Sequence, residues 1–349
     1  MLPRHLSYTA VQAASRRSLT VAVSSICRGG VTHRDIYSRR HHHSSSSDSR
    51  ANSPLTPADV AALDRWISAE KRLVLHDTLR PEHLADLYVT LPTRDGTREP
   101  LPGYAPPQEG DELGYGHHLA FFHPRNPEKF LSWDGTDVDF SPSKPSTRRM
   151  WAGGRMEWKR ALHVGDRAEA VSTIASAARK GFGLGETGAP MVFVKQKIEY
   201  RKQGGGEVCI EEERSHVYLA MAGNRREPKE VKGLPRPDFM FEFLPTPTTL
   251  FRFSALTFNG HYIHLDKDYA RKSEGYPERL VHGPLTALML LDTTALQVPG
   301  RAFKTFEYRA VNPIAVNRRV RINGVHDGHG PENSEGKTVL FSRIALPFR

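Results

Sequence analysis

GPLTALMLLDTTAL, residues 283–296, is the stretch whose reading decides the architecture. Pro284 stands in the first turn, where its missing N–H costs a helix nothing. Apolar side chains then follow on nearly every face, so the helix must be buried rather than half exposed. Strand-like runs flank it. FKTFEYRAV, NRRVRINGVHD and KTVLFSRIALP follow, and RAEAVSTIASAARK, PMVFVKQKIEYRK and EVCIEEERSHVYLA lie upstream, separated by Gly-rich turns. Helix and strands segregate instead of alternating, which argues for an α+β fold over a doubly wound one.

An internal similarity refines this. MEWKRALHVG at 156–165 resembles FEYRAVNPIA at 306–315, offset by 150 residues without a gap. Val164 falls on Ile314. Two copies of one strand-rich unit are expected, with the long helix only in the second. Upstream, TPADVAALDRWISAEKRLV starts a helix with Thr56 as N-cap and Pro57 at the first position. A short helix is expected within PEHLADLYVTL. Residues 92–148 are rich in Pro and Gly and read as a long irregular region. Residues 222–248 read as a linker, and Leu250–Leu256 as a strand.

The chain has 349 residues and a formal charge of +10, of which residues 1–50 carry +6 through eight Arg against Asp35 and Asp48. The same fifty residues hold eleven Ser. That Arg-rich, Ser-rich, acid-poor composition is expected of a mitochondrial presequence, with HHHSSSSDSR at 41–50 as a low-complexity linker. No run approaches the roughly 20 apolar residues of a membrane span. Cys27 and Cys209 are the two cysteines, which excludes a disulfide scaffold and a zinc-type spacing. Nothing in the sequence points to nucleic acid, a metal or a redox cofactor. Gly183, Gly185 and Gly188 have dinucleotide-loop spacing, but the strand follows them instead of preceding them, so they read as a hairpin turn.

Chemistry concentrates in FSALTFNGHYIHLDKDYA, residues 253–270. Asn259, His261 and His264 stand where an apolar segment ends, and Asp266 can cap a helix over about Lys267–Arg271. His264 offers a base, Asn259 a polar orienter, and the Gly283 N–H an oxyanion donor at a helix N-terminus. Such a trio suits proton abstraction beside a carbonyl; a polar loop beside a buried helix with no chemistry is the other reading. Trp151, Gly153 and Gly154 mark a tight entry into a strand. Arg148, Arg149 and Arg155 nearby are able to meet an anion or to form a solvated basic loop. His117 and His118 read as one buried, satisfied histidine and one facing solvent.

Together these residues resemble a known family. FSALTFNGHYIHLDKDYA followed by YPERLVHGPLTALMLLD is similar to the hydratase signature of MaoC-like hotdog proteins. LGYGHHLAFFHP, RRMWAGGRMEWKRALHVGD and EERSHVYLA resemble the N-terminal half of one subgroup, the fungal mitochondrial type 2 hydroxyacyl-thioester dehydratases and bacterial mesaconyl-CoA hydratases. The resemblance implies an α+β double hotdog, two curved antiparallel sheets each wrapped on a helix. Residues 55–221 would form a non-catalytic unit that shapes the pocket, and 249–349 the catalytic unit. It implies a (3R)-hydroxyacyl-thioester dehydratase of mitochondrial fatty acid synthesis, located in the matrix, with a dicarboxylic enoyl-CoA hydratase or a silent acyl-thioester-binding protein as the alternatives. His264, Asn259 and Gly283 would be catalytic; His261, His282, Trp151, Gly153, Gly154 and Arg155 would bind substrate. The thioester comes on CoA or an acyl carrier protein, no cofactor is required, and a homodimer is one possible assembly. The family signature Asp-x-Asn-Pro-x-His reads Asn259, His261, Tyr262 and His264 here. Since an amide does not titrate, His264 is left as the single general base.

Overall fold

A computed structural model describes residues 56–97, 104–142, 148–182, 190–204, 206–219, 236–300, 302–325 and 340–341, all within the unit Ser49–Arg349. The presequence expectation and the Gly183–Gly188 turn lie outside the described residues. The chain opens with α1 (Pro57–Ser68), whose N-cap Thr56 and N3 residue Asp59 exchange hydrogen bonds in a capping box. Strand β1 (Arg72–Thr78) and helix α2 (Pro81–Tyr88) follow. An irregular stretch holds a 3₁₀ turn, His117–Ala120. Strands β2 (Arg148–Trp158), β3 (Arg167–Lys180), β4 (Met191–Lys202) and β5 (Val208–Leu219) complete the first half.

The second half begins with β6 (Phe239–Phe243), inside the stretch expected to be a linker. Next come α3 (Pro247–Leu256), α4 (Tyr262–Leu265), α5 (Lys267–Lys272) and the long α6 (Gly283–Gln297). Strands β7 (Thr305–Arg309), β8 (Val320–Gly324) and β9 (Leu340–Phe341) close it. The strand expected over Leu250–Leu256 is helix α3. Thr246 and Thr249 form its capping box and Pro247 takes N1. Leu250, Phe253, Ser254 and Leu256 are buried, which is the spacing of a helix face and not of a pleat.

Among the described residues every strand pairing is antiparallel. The sheets run β1-β3-β4-β5-β2-β7 and β6-β8-β9. The two halves share one plan. β1 pairs β3 and β3 pairs β4; likewise β6 pairs β8 and β8 pairs β9. The backbone repeats it in detail. Leu113 N–H donates to Leu162 O as Val281 N–H donates to Ile314 O. Val164 N–H bonds Asp111 O as Val316 N–H bonds Arg279 O, and Gly165 N–H bonds Leu79 O as Asn317 N–H bonds Pro245 O. Val164 therefore matches Val316, not Ile314; the offset grows from 150 to 152 just past the strand. β2 and β7 hold equivalent places and pair with each other, Met156 opposite Phe306. Those residues are 150 apart, so each pairs with its own equivalent and a pseudo-two-fold axis passes between them.

The halves differ in one element. In the second, α6 buries Leu285, Leu288, Met289 and Leu291 in the main core. In the first, the corresponding place after Leu113 holds only the 3₁₀ turn. His117 and His118 on that turn are both fully buried, contrary to the expectation that one faces solvent. Asp292 of α6 meets His117 Nε2 at 3.2 Å, and Glu212 lies 3.6 Å from His118 Nε2.

Candidate active site

The face of the first sheet that α6 has no counterpart to cover opens onto a cavity of about 710 Å³. Leu75, Ser172, Ile198 and His216 of β1, β3, β4 and β5 line one side. Asn259, His261, His264 and Gly283 line the other. The volume lies within the usual range for small-molecule sites, roughly 300–1,000 Å³.

Three short elements place the polar groups. At the end of α3, Phe258 adopts φ 49°, a left-handed conformation that costs a non-Gly residue on the order of 1 kcal/mol. That turn folds the chain back so that Asn259 N–H donates to Ser254 O at 2.8 Å. Asn259 Oδ1 then accepts from His261 N–H at 3.0 Å. With the amide oxygen so engaged, the Nδ2 hydrogens remain for the cavity. Asp266 caps α5 through Tyr269 N–H, as its position suggests.

His264 sits in α4. Its Nδ1 lies 2.8 Å from Leu280 O. A carbonyl only accepts, so Nδ1 carries the proton and Nε2 keeps its lone pair. The ring stacks on His282 at 3.6 Å between centroids and 22° between planes. Burial, assisted by the nearby Arg149 charge, lowers the His264 pKa to about 4 in spite of the Leu280 contact. At neutral pH it is an uncharged imidazole. His282, the residue that precedes α6, shares a hydrogen bond of 2.9 Å with Ser254 Oγ. Burial and the His264 and His261 rings hold its pKa well below the usual value.

Gly283 begins α6, where the first backbone N–H groups have no partner within the helix. A Cβ on Gly283 would lie 2.7 Å from Trp151 Cγ, so Trp151 packs directly on the helix start. Trp151 in turn donates Nε1–H to Tyr308 OH at 2.6 Å. Gly153 has φ 155° at a bulge in β2, and a Cβ there would lie 2.5 Å from Tyr308 O. On Gly154 it would meet Glu213 O at 2.6 Å. Both glycines let β7 and β5 close on β2. Arg155 does not join them: it is exposed and pairs with Glu157 at 3.1 Å. The bulge and the strand's alternation put Arg149 and Trp151 on the cavity side instead.

One group in the wall lacked a motif, and it lies beside His261 of the signature. Glu274, between α5 and α6, accepts from Tyr269 OH at 3.0 Å and lies 3.6 Å from Arg148 Nε. Burial outweighs both partners and pushes its pKa up to about 7. His261 Nε2, without a hydrogen bond among the described residues, lies 3.6 Å from Asp134 and 3.8 Å from Glu274. Among the described residues no cluster suits a metal ion.

A neutral imidazole with a fixed tautomer, an amide and a helix-start N–H thus face one chamber, an arrangement suited to a hydro-lyase. Residues 116–316 match the family model of hydroxyacyl-thioester dehydratase type 2, and the chain belongs to that family. It is 34% identical over 236 residues to mesaconyl-C(4)-CoA hydratase of Chloroflexus aurantiacus, covering 66% of this chain and 82% of the relative. It is 33% identical over 235 residues to the mitochondrial hydroxyacyl-thioester dehydratase type 2 of Schizosaccharomyces pombe, covering 59% and 76%. Among solved structures, a MaoC-like dehydratase from Phytophthora capsici aligns with TM-score 0.52 at 18% identity, covering 77% of this chain and 90% of that one.

Proposed function

We propose that the protein interconverts (3R)-hydroxyacyl and trans-2-enoyl thioesters by removing or adding water. In dehydration, His264 Nε2 takes the C2 proton. Negative charge moves onto the thioester oxygen, where the Gly283 N–H receives it. Asn259 Nδ2 holds the C3 hydroxyl, which leaves with the C3–O electron pair and takes up one proton to become water. The observation that carries this reading is the Leu280 carbonyl on His264 Nδ1, which leaves a neutral base aimed at a chamber that also holds the Gly283 amide. The second half would be the catalytic unit, starting at β6, and the first half would house the acyl chain. The S. pombe relative, described as mitochondrial, and the basic N-terminal composition support placement in mitochondria; fatty acid synthesis in the matrix is the context we assign.

One observation favours a second reading. Arg149 lines the chamber, where its charge acts on the Asp137 carboxyl and on the His261 and His264 rings. An acyl group ending in a carboxylate would satisfy it, in line with the C. aurantiacus relative. The test is hydration of crotonyl-CoA, followed by loss of enoyl-thioester absorbance, in competition with a carboxylate-bearing enoyl-CoA. His264→Ala is expected to lower turnover by about 10²–10⁴, the usual contribution of a general base. Wild-type turnover in His264→Ala would refute the assignment, and strong preference for the carboxylate substrate would select the second reading.

A further inference from the structure

Elimination of water needs two proton events, removal at C2 and delivery to the departing oxygen. Asn259 can perform neither. His264 can perform both only if it first takes the C2 proton and then delivers it to the oxygen leaving C3. The chamber wall holds another titratable group. Glu274 is 8% exposed and lines the same cavity as His264, Asn259 and Gly283. Its Oε1 is engaged by Tyr269 OH at 3.0 Å, while Oε2 has no hydrogen bond among the described residues. Arg148 Nε stays at 3.6 Å from Oε2, too far for a hydrogen bond, and Nε itself is buried without one. His261 lies near both groups: Glu274 Oε1 is 3.8 Å from His261 Nε2, and the His261 and His264 centroids are 5.5 Å apart.

We propose that Glu274 is the proton donor to the leaving C3 hydroxyl, working with His264 as an acid–base pair that holds one proton between them. The assignment rests on the dehydratase reading above and deepens it. In the step, His264 Nε2 takes the C2 proton, and the C–H electrons become the C2=C3 bond through the enolate. The C3–O bond breaks with its electron pair on oxygen, and the Glu274 carboxyl proton goes to that oxygen to give water. The imidazolium then returns its proton to the Glu274 carboxylate through the released water, and the pair is reset. Tyr269 of α5, Arg148 of β2, Asp134 of the preceding loop and His261 face the carboxyl from each side. Burial and Asp134 favour its protonated form; Tyr269 and Arg148 oppose it.

The pair predicts a pH signature that a lone His264 does not. Dehydration starts from neutral His264 with protonated Glu274, hydration from the reverse, and both carry one proton. The full-length enzyme should therefore lose kcat/KM in both directions above about pH 7, as Glu274 titrates. A lone His264 would give a flat profile above its own pKa of about 4. The experiment measures kcat/KM against pH for wild type, Glu274→Gln and Tyr269→Phe, with 3-hydroxybutyryl-CoA and crotonyl-CoA. Glu274→Gln should lose about 10²-fold and its alkaline limb. Tyr269→Phe removes a hydrogen bond that favours the carboxylate, so its limb should move to higher pH. A limb that stays in place in Tyr269→Phe, or a Glu274→Gln enzyme with wild-type rate or an unchanged limb, overturns the assignment and leaves the dehydratase reading standing. A wild type inactive on both substrates sinks the underlying reading instead.

Discussion

At residue scale, Gly283 carries two demands in one position. It exposes the first amide of α6, and it leaves room for the Trp151 ring on the helix start. A methyl group in Gly283→Ala would sit 2.7 Å from Trp151 Cγ and 2.9 Å from its Cβ. Those are atoms near the backbone and not the end of a flexible chain, so the helix start must shift. We expect kcat to fall by about 10²–10³, the usual effect of losing one oxyanion donor. An unchanged far-UV spectrum beside an unchanged kcat would count against the role of the Gly283 amide. The motif made Asn259, His264 and Gly283 legible as candidates, and all three line one cavity. Glu274 was not, because its significance comes from burial and from Tyr269 and Arg148, which no local pattern announces. Arg155 was misassigned for a related reason: the bulge at Gly153 decides which arginine of the run faces the chamber.

At the scale of elements, α6 was readable because a helix apolar on every side has only one place to go. Its single acid, Asp292, is 1% exposed and organises the first half around it. Thr93 Oγ1, Arg94 and His117 all bond its carboxylate, with Arg94 Nε at 2.7 Å and His117 Nε2 at 3.2 Å. These tie the end of α2's following loop and the 3₁₀ turn to the helix. Asp292→Ala would strand a buried imidazole and a partly buried guanidinium, which costs about 3 kcal/mol, the low end of the range for breaking a buried pair. At roughly 2–4 °C per kcal/mol for a domain of this size, the melting temperature should drop by on the order of 10 °C. A drop under about 2 °C would mean the network contributes nothing. Neither this network nor the burial of both His117 and His118 was visible in sequence, since the partners lie more than ninety positions away. The sequence of helix α3 reads as a strand because Phe and Leu suit both states, and the buried Ser254 blurs the helical spacing.

At the scale of the whole molecule, the wall of the chamber stores imidazoles in their neutral form. Burial holds the pKa of His123, His216, His261, His264 and His282 below the usual value near 6.5, and does the same to His117 in the core beside Asp292. Between those folded values and 6.5 the unfolded chain binds more protons, so stability falls as pH falls. Their contribution is complete above about pH 6.5 and is lost on the way down to about 4, the value for His264. The carboxylates of Asp292 and Glu212, held below their ordinary range by Arg94, Arg214 and the histidines, add to the loss only lower still. Thermal melts should thus show the melting temperature declining from near pH 6.5. A plateau from pH 7 to 5 would contradict this.

The pairing of Met156 with Phe306 has a consequence for how such a chain can diverge. In a dimer of identical halves, a side chain on the axis must fit a copy of itself, and any change there is made twice at once. Here a thioether chain faces an aromatic ring, a match unavailable to a symmetric pair. Joining both halves covalently also removes the need to find a partner at any concentration. One half carries a single 3₁₀ turn where the other carries the long helix α6, an asymmetry that fits the proposed division into an acyl-binding half and a catalytic half. The molecule is in effect an asymmetric heterodimer encoded once.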